Sequence, residues 1–141
     1  MNEIFPAKLV AKFPVNPDIL PTHSSTFLFS MSLVSEFNDY RARMNERILA
    51  HDNKVIKRFW SLDNQTYQEG ALDMRTKEML GLVASMVLRC DDCIKYHLGK
   101  CKEEGVTTDE IYEVFAVANI VGGTIVIPHF RRAVEYWEEL G

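Results

Sequence analysis

The sequence predicts an all-α domain of about six helices. From Met31 onward, apolar residues recur at spacings of three and four, which is the period of one face of an α-helix. No segment shows the alternation of apolar and polar residues expected of a strand. With 141 residues, of which 47% are hydrophobic and 26% charged, the chain suits one domain with a hydrophobic core rather than a disordered segment.

Amphipathic patterns predict the first two helices. A helix predicted from Ser32 to about Asp52 carries an apolar face formed by Leu33, Phe37, Tyr40, Met44 and Ile48. The apolar residues of a shorter second helix are Val55, Ile56, Phe59, Trp60 and Leu62. A polar stretch that ends at Gly70 follows this second helix.

The third and fourth helices are predicted to meet at the cysteines. Asp73 suits the N-cap of a third helix that continues to about Arg89. A fourth helix begins at Cys90 and ends at Gly105, since glycine is favoured just past a helix C-terminus.

The last two helices follow a capping box. Thr107 and Glu110 have the spacing that opens a fifth helix, which is apolar on nearly all sides. Gly122 and Gly123 interrupt it, and Pro128 kinks or opens a last amphipathic helix. Because an all-round apolar helix must be covered on every side, we expect an oligomer.

The N-terminal residues are predicted to form a separate segment. Four of the 5 prolines of the chain lie there, at positions 6, 14, 17 and 21, and favour extended or irregular backbone. We therefore divide the chain into a Pro-rich N-terminal tail or arm, residues 1–31, and a single helical domain, residues 32–141. The segment fits a tail, an arm onto a neighbouring subunit, or sequence upstream of a start at Met31.

Charge and cysteine content argue against several classes of protein. A net charge of −4 and a pI near 5.6 argue against nucleic-acid binding. Arg41, Arg43 and Arg47 are interspersed with acids, as on a solvated helix face. We expect no signal peptide and no membrane partner, because no apolar run reaches the ~18–20 residues that span a bilayer. The 3 cysteines are too few for a secreted disulfide framework and favour a cytoplasmic location.

Cys90, Cys93 and His97 form the most informative motif. At the start of a helix, the Cα atoms of Cys90 and Cys93 would lie about 5–6 Å apart, within disulfide range. A helix N-terminus stabilises a thiolate, and His97 lies on the same face as Cys93, where it can accept the thiol proton. The spacing therefore supplies a nucleophile, a base and a second thiol that can resolve a sulfenic acid.

Metal binding, core packing and a structural disulfide are the alternatives for this motif. Together with Cys101, its residues would provide four zinc ligands, but they extend about 16 Å along one helix, too far for a tetrahedral site. We therefore predict no metal. Cys101 lies about 12 Å from Cys93 along the helix and is predicted to be a core residue. A purely structural disulfide is disfavoured in a reducing compartment.

Glu78 extends the constellation. With Gly81 and Ser85 it forms a narrow, less apolar stripe on the third helix. If the fourth helix folds back from Cys90, two long side chains and one water would bridge Glu78 and His97. The carboxylate would then orient the imidazole or take its proton. An ordinary exposed glutamate is the alternative, and the residues alone do not decide between the two.

This pattern resembles the carboxymuconolactone decarboxylase superfamily, in its alkyl hydroperoxidase D-like branch. The resemblance rests on Lys77-Glu78, then after eleven residues Cys90-x-x-Cys93-x-x-x-His97, followed by Gly105, Glu110-Ile111 and Gly122-Gly123. It covers roughly Tyr40 to Leu140. The resemblance implies an alkyl hydroperoxidase D-like orthogonal helical bundle that assembles as a homotrimer or homohexamer.

The resemblance also implies peroxidase and disulfide oxidoreductase activity. Cys93 would attack a hydroperoxide, Cys90 would resolve it as a disulfide, and Glu78 and His97 would relay the proton. The substrate would be a small peroxide or disulfide, and an external dihydrolipoyl or thioredoxin-like reductant would serve in place of any bound cofactor.

Two other functions stay open. One is a lyase or isomerase in which His97 and Glu78 act on a lactone-like substrate, although the decarboxylases that name the family lack the CxxC pair. The other is a non-catalytic oligomeric binding or redox-sensing module.

Asp92 departs from the pattern of this branch, whose best-described peroxidases carry a histidine just before the second cysteine. Asp91 and Asp92 suit a helix N-terminus but oppose thiolate formation, so slower peroxidase chemistry is expected. His129 has no counterpart and either borders a pocket or lies on the surface. His23 and His51 are predicted to lie on the surface.

Overall fold

The computed structural model describes residues 32–141 and folds them into six α-helices without a strand. The helices are α1 (Leu33–Ala50), α2 (Lys54–Thr66), α3 (Met74–Leu88), α4 (Asp91–Glu103), α5 (Thr108–Gly122) and α6 (Ile127–Glu139). A single 3₁₀ turn, Thr124–Val126, connects α5 to α6. The all-α prediction is therefore confirmed. The predicted tail or arm, residues 1–31, and His23 lie outside the described residues.

Local signals set most of the helix ends. The Asp73 side chain accepts a hydrogen bond from the backbone N–H of Thr76 at 2.7 Å and caps α3. Thr107 and Glu110 form the predicted capping box at the start of α5. α5 ends at Gly122, and the following Gly123 has a φ of 74°, which only glycine adopts readily. The 3₁₀ turn then leads directly into α6, which Pro128 opens.

The core lies between α3, α4, α5 and α6. α3 packs against both α4 and α5, and α6 packs against α4. The fully buried apolar side chains come from all four helices and include Leu82, Met86, Leu98, Ile111, Phe115 and Tyr136. α1 contacts this core through Phe37, whose ring stands edge-on to Tyr136 with centroids 6.0 Å apart.

A two-residue connection between α3 and α4 positions the candidate site. Arg89 ends α3 in the left-handed conformation, with φ 61° and ψ 38°, and Cys90 is already the N-cap of α4. The short link places α3 and α4 side by side along the core. None of the helices within residues 32–141 is long and apolar enough to cross a membrane.

The second half of α5 leaves an apolar strip on the surface. Val117, Ile120 and Val121 are exposed and occur at the three- and four-residue spacing of one helix face. Ile125, in the 3₁₀ turn, continues the exposed apolar surface. The fifth helix is thus apolar on its outer side as well as toward the core.

Candidate redox site

Cys90 and Cys93 are joined as a disulfide at the N-terminus of α4, with their Cα atoms 5.3 Å apart. This spacing confirms the distance predicted from the helix. Cys93 is exposed and Cys90 is half-buried. The backbone N–H of Cys93 donates to Sγ of Cys90 at 3.4 Å, a bond made by one of the free amide groups of the first helical turn.

Glu78 and His97 form a buried pair beneath the cysteines. Nδ1 of His97 lies 2.7 Å from Oε2 of Glu78, and the two residues are only 6% and 2% exposed. The alternative of an ordinary exposed glutamate is therefore wrong. The expectation of a bridging water was wrong as well, because the two side chains are in direct contact.

Gly81 explains why no water is needed. The imidazole of His97 lies against α3 at this glycine, so closely that a Cβ there would come within 2.5 Å of Cε1 and 2.8 Å of Nε2. Ser85, one turn further along the stripe, is also buried. Glycine thus lets α4 approach α3 until the imidazole reaches the carboxylate directly.

Two tyrosines enclose the imidazole. The ring centroids of Tyr67 and Tyr96 lie 5.3 Å and 5.2 Å from that of His97. Burial, and then the negative charge of Glu78, raises the pKa of both phenols, so they stay neutral beside the pair. Tyr67 follows α2, where Nζ of Lys77 donates to the carbonyl oxygen of Thr66 at 2.9 Å. Lys77 thereby holds the end of α2 against the site.

A cavity of about 320 Å³ opens onto Cys93 and His97. One wall is Tyr96, and α1 supplies Phe37, Tyr40 and Arg41 to the others. The guanidinium carbon of Arg41 lies 4.3 Å from the centroid of the Tyr96 ring. Arg41 was expected on a plainly solvated helix face, and although it is exposed, it also lines this cavity.

Cys101 is a core residue, as predicted. It is fully buried, and burial raises the pKa of its thiol to about 12. Among residues 32–141, no three His, Cys, Asp or Glu side chains are grouped so that they could hold a metal ion.

His129 takes part in a polar cluster next to the disulfide. Its Nδ1 lies 2.7 Å from Oδ1 of Asp91, the residue that follows Cys90. Arg132, one turn further along α6, contacts the same carboxylate at 3.0 Å. Partial burial acts to raise the pKa of Asp91, but the hydrogen bonds from His129 and Arg132 together outweigh it, so the pKa is lowered. His129 is thus hydrogen-bonded to a residue of the CxxC motif, which neither expectation for it included. His51 is exposed, as predicted.

The fold and the site define an all-α protein with a CxxC pair above a buried carboxylate–imidazole pair. A model of the carboxymuconolactone decarboxylase family matches residues 53–136. This range includes all the site residues named above except those of α1. The chain belongs to the carboxymuconolactone decarboxylase family.

Solved structures share this fold. A crystal structure of a Thermotoga maritima protein is 52% identical, with a TM-score of 0.73, and the match covers 75% of this chain and 93% of that one. A second structure of the same Thermotoga maritima protein is 51% identical, with a TM-score of 0.71 over 74% and 89% of the two chains, and describes it as a carboxymuconolactone decarboxylase family protein for which a role in the antioxidative response has been suggested. A Legionella pneumophila family member is 23% identical with a TM-score of 0.70, over 76% of this chain and 96% of that one, and shares the fold alone.

A curated relative is more distant. An uncharacterized protein from the cox locus of Paracoccus denitrificans is 29% identical over 82 residues, which are 58% of this chain and 74% of the relative.

Proposed function

We propose that this protein is a thiol-dependent oxidoreductase that reduces hydroperoxides, or disulfides, with the Cys90–Cys93 pair. One observation carries the proposal: an exposed cysteine, bonded to its partner at a helix N-terminus, opens onto the same cavity as His97 of the buried Glu78–His97 pair. These are the nucleophile, resolving thiol and acid–base group that such a reaction requires.

Cys93 is the attacking thiol in this proposal. It is the more exposed of the two cysteines, it lines the cavity, and it lies in the first turn of α4, where backbone N–H groups and the helix dipole favour a thiolate. Its thiolate attacks the terminal oxygen of the hydroperoxide, so an S–O bond forms as the O–O bond breaks. The alkoxide that leaves takes a proton from protonated His97, and the products are an alcohol and the sulfenic acid of Cys93.

Cys90 then completes the turnover. Its thiol displaces the hydroxyl group of the sulfenic acid as water, which forms the Cys90–Cys93 disulfide. An external dithiol reduces that disulfide by thiol–disulfide exchange and becomes a disulfide itself, which restores both thiols. A dihydrolipoyl or thioredoxin-like reductant has this chemistry, and no bound cofactor takes part. Reduction of a substrate disulfide takes two exchanges. The reduced pair first passes two electrons and two protons to the substrate disulfide and becomes the Cys90–Cys93 disulfide, and the external dithiol then reduces that disulfide again.

The aspartates of the motif limit the rate. Asp91 and Asp92 place carboxylates in the same helical turn as the nucleophile, and a nearby negative charge disfavours the thiolate. We therefore expect slower peroxide reduction than in relatives with a histidine before the second cysteine. The antioxidative role suggested for the Thermotoga maritima relative, which is 51% identical, supports the same class of chemistry for this chain.

A homo-oligomer, trimer or hexamer, is part of the proposal. Exposure of the apolar strip of α5 to water is unfavourable in free energy. A second copy of the chain carries the same strip, so two copies could cover each other's apolar surface. Residues 1–31 are proposed to form a tail, or an arm onto a neighbouring subunit.

A cytoplasmic location is also proposed, because a reducing compartment keeps thiols available for the proposed chemistry.

Cysteine variants test the mechanism. The reduced protein treated with one equivalent of an organic hydroperoxide should lose two hydrogens, localised to Cys90–Cys93 by peptide mass analysis and restored by dithiol. Cys93→Ser should abolish turnover, whereas Cys90→Ser should leave a sulfenic acid that an external thiol must resolve. Cys101→Ala is the matched control and should turn over normally. Unchanged turnover in Cys93→Ser would overturn the thiol mechanism.

The same experiment separates the two other functions. The buried Glu78–His97 pair also fits a lyase or isomerase that moves a proton on a lactone-like substrate, and such an activity would survive in the Cys90→Ser/Cys93→Ser double variant. A wild-type protein that forms the disulfide with peroxide but shows no catalytic turnover would instead be a redox-sensing module.

A further inference from the structure

Asp91, which lies inside the CxxC motif, is bonded to two side chains from a distant part of the chain. Nδ1 of His129 is 2.7 Å from its Oδ1, and Nη2 of Arg132 is 3.0 Å from its Oδ2. Arg132 also lies 2.9 Å from His129, so the three side chains form one closed cluster. The proposed reaction gives no role to His129 or Arg132.

The charged side chains of this cluster lie next to the cysteine pair in which a thiolate would form. Asp91 directly follows Cys90 and lies two residues before Cys93, in the first turn of α4. A lone carboxylate there would oppose ionisation of either thiol. Arg132 supplies a compensating positive charge, and the side chain of His129 is only 16% exposed, which limits screening by water on that side of the carboxylate.

We propose that Asp91, His129 and Arg132 are positioning residues that set the acidity and the redox equilibrium of the Cys90–Cys93 pair, by balancing the Asp91 charge beside it. This inference rests on the proposed function, because it gives the cluster a role only if the pair cycles between dithiol and disulfide. The other ionisable groups around the pair are Arg89 and Asp92 on the flanking backbone and, in the cavity that Cys93 lines, Tyr40 and Arg41 of α1, Asp63 of α2 and Tyr96 and His97 of α4. All of these are kept in every variant below.

The two charges of the cluster should act in opposite directions. Reduction of the protein disulfide by a dithiol transfers two electrons and two protons, and the thiolate is part of the reduced form only. Arg132→Gln leaves Asp91 uncompensated, so the pKa of the more acidic thiol should rise and the equilibrium should move toward the disulfide. Asp91→Asn leaves Arg132 uncompensated, so this pKa should fall and the equilibrium should move toward the dithiol.

The opposite signs of these pKa shifts distinguish an electrostatic role from a purely structural one, in which the cluster only holds α4 against α6. If the role were structural, both single variants would change in the same direction, with lower stability and looser packing at the site. Charge balance predicts instead that the Asp91→Asn/Arg132→Gln double variant returns close to the wild-type thiol pKa. Arg132→Lys, which keeps the charge, should also stay close to wild type, and Arg131→Gln, an exposed neighbour on α6, is the matched control.

The experiment measures alkylation of the reduced full-length protein by iodoacetamide from pH 5 to 10, and the equilibrium of its disulfide with reduced and oxidised dithiothreitol. We expect the midpoint of the alkylation–pH profile to shift by about half a pKa unit, up in one single variant and down in the other. At pH values above these midpoints, where the thiolate is formed, the equilibrium constant should change by about threefold in the corresponding directions. Shifts of the same sign, or profiles identical to wild type, would overturn the inference. Absence of a Cys90–Cys93 disulfide in oxidised wild-type protein would instead contradict the proposed function.

Discussion

Nδ1 of His97 lies 2.7 Å from Oε2 of Glu78, and the contact joins the middle of α4 to the first half of α3 inside the protein. His97 and Cys93 also line the same cavity. A carboxylate that accepts a hydrogen bond from the Nδ1–H group leaves Nε2 of the imidazole as the basic nitrogen. Glu78 therefore acts on the thiol through His97 and is a positioning residue in the proposed reaction.

Replacement of Glu78 by glutamine tests this coupling. Glu78→Gln keeps the volume but removes the negative charge that stabilises an imidazolium, so His97 becomes a weaker base. We expect the apparent thiol pKa to rise, or alkylation of Cys93 to slow, and peroxide turnover to fall by about tenfold or more. Glu138→Gln, at an exposed position of α6, is the control. Identical alkylation–pH profiles for Glu78→Gln and wild type would count against the relay.

Substitution of Gly81 tests how the imidazole is positioned. Gly81→Ala would place Cβ 2.5 Å from Cε1 of His97, so the ring must move away from Glu78. We expect a loss of about 1–3 kcal/mol in the free energy of unfolding, with slower alkylation of Cys93. In Gly99→Ala, the matched helical control, the new Cβ would meet nothing within 4 Å, and the protein should gain about 0.5–1 kcal/mol. Gly81→Ala with wild-type stability and thiol reactivity would contradict this role for the glycine.

The helical period made the centre of the site predictable. Cys90, Cys93 and His97 lie on one helix, so their spacing alone determined which face they share, and cap residues such as Asp73 set the helix ends. The direct contact between Glu78 and His97 was not predicted, because it depends on how closely two helices approach. Gly81 controls that approach, and its effect is visible only once α4 packs against it.

The periphery of the site could not be predicted in this way. Tyr67 and Arg41 come from the end of α2 and from α1, and they reach His97 and Tyr96 through tertiary packing. His129 is separated from Asp91 by 38 residues, and no local signal links the two. Such contacts depend on the position of whole helices, which a single sequence does not give.

The buried thiol of Cys101 should be inert in the folded protein. Burial raises its pKa to about 12, and its side chain has no access to solvent. After reduction, we expect iodoacetamide to add two groups to the native protein and a third only when the protein is unfolded, as counted by intact mass. A third group added to native protein at the rate of the first two would show that Cys101 is accessible. Cys101→Ser should cost about 1–3 kcal/mol, because it buries a hydroxyl in an apolar site.

The exposed strip of α5 should control assembly. Ile120 is 84% exposed, and if it lies in an interface between copies, Ile120→Glu would bury a charge there. We expect light scattering after size-exclusion chromatography to show a wild-type trimer or hexamer that this variant dissociates. Gln65→Glu, which adds the same charge at an exposed position of α2, should assemble as wild type does. If Ile120→Glu forms an oligomer of the same mass as the wild-type protein, the interface between copies does not include Ile120.

Glu110 should make stability depend on pH in the acid range. A hydrogen bond from the backbone N–H of Thr107, reinforced by Arg75, lowers the pKa of Glu110 from 4.5 to about 2. Because the folded-state pKa is the lower one, the carboxylate stabilises the fold above about pH 4.5, and this contribution is lost as the pH falls toward 2. Glu110→Ala should therefore lower the thermal unfolding midpoint at pH 7, and the difference from wild type should shrink between pH 4.5 and 2. Asp109→Ala, on the same helical turn but outside the capping box, controls for loss of an acid near the helix N-terminus. A difference for Glu110→Ala that stays constant down to pH 2 would mean that the ionised carboxylate is not what stabilises the start of α5.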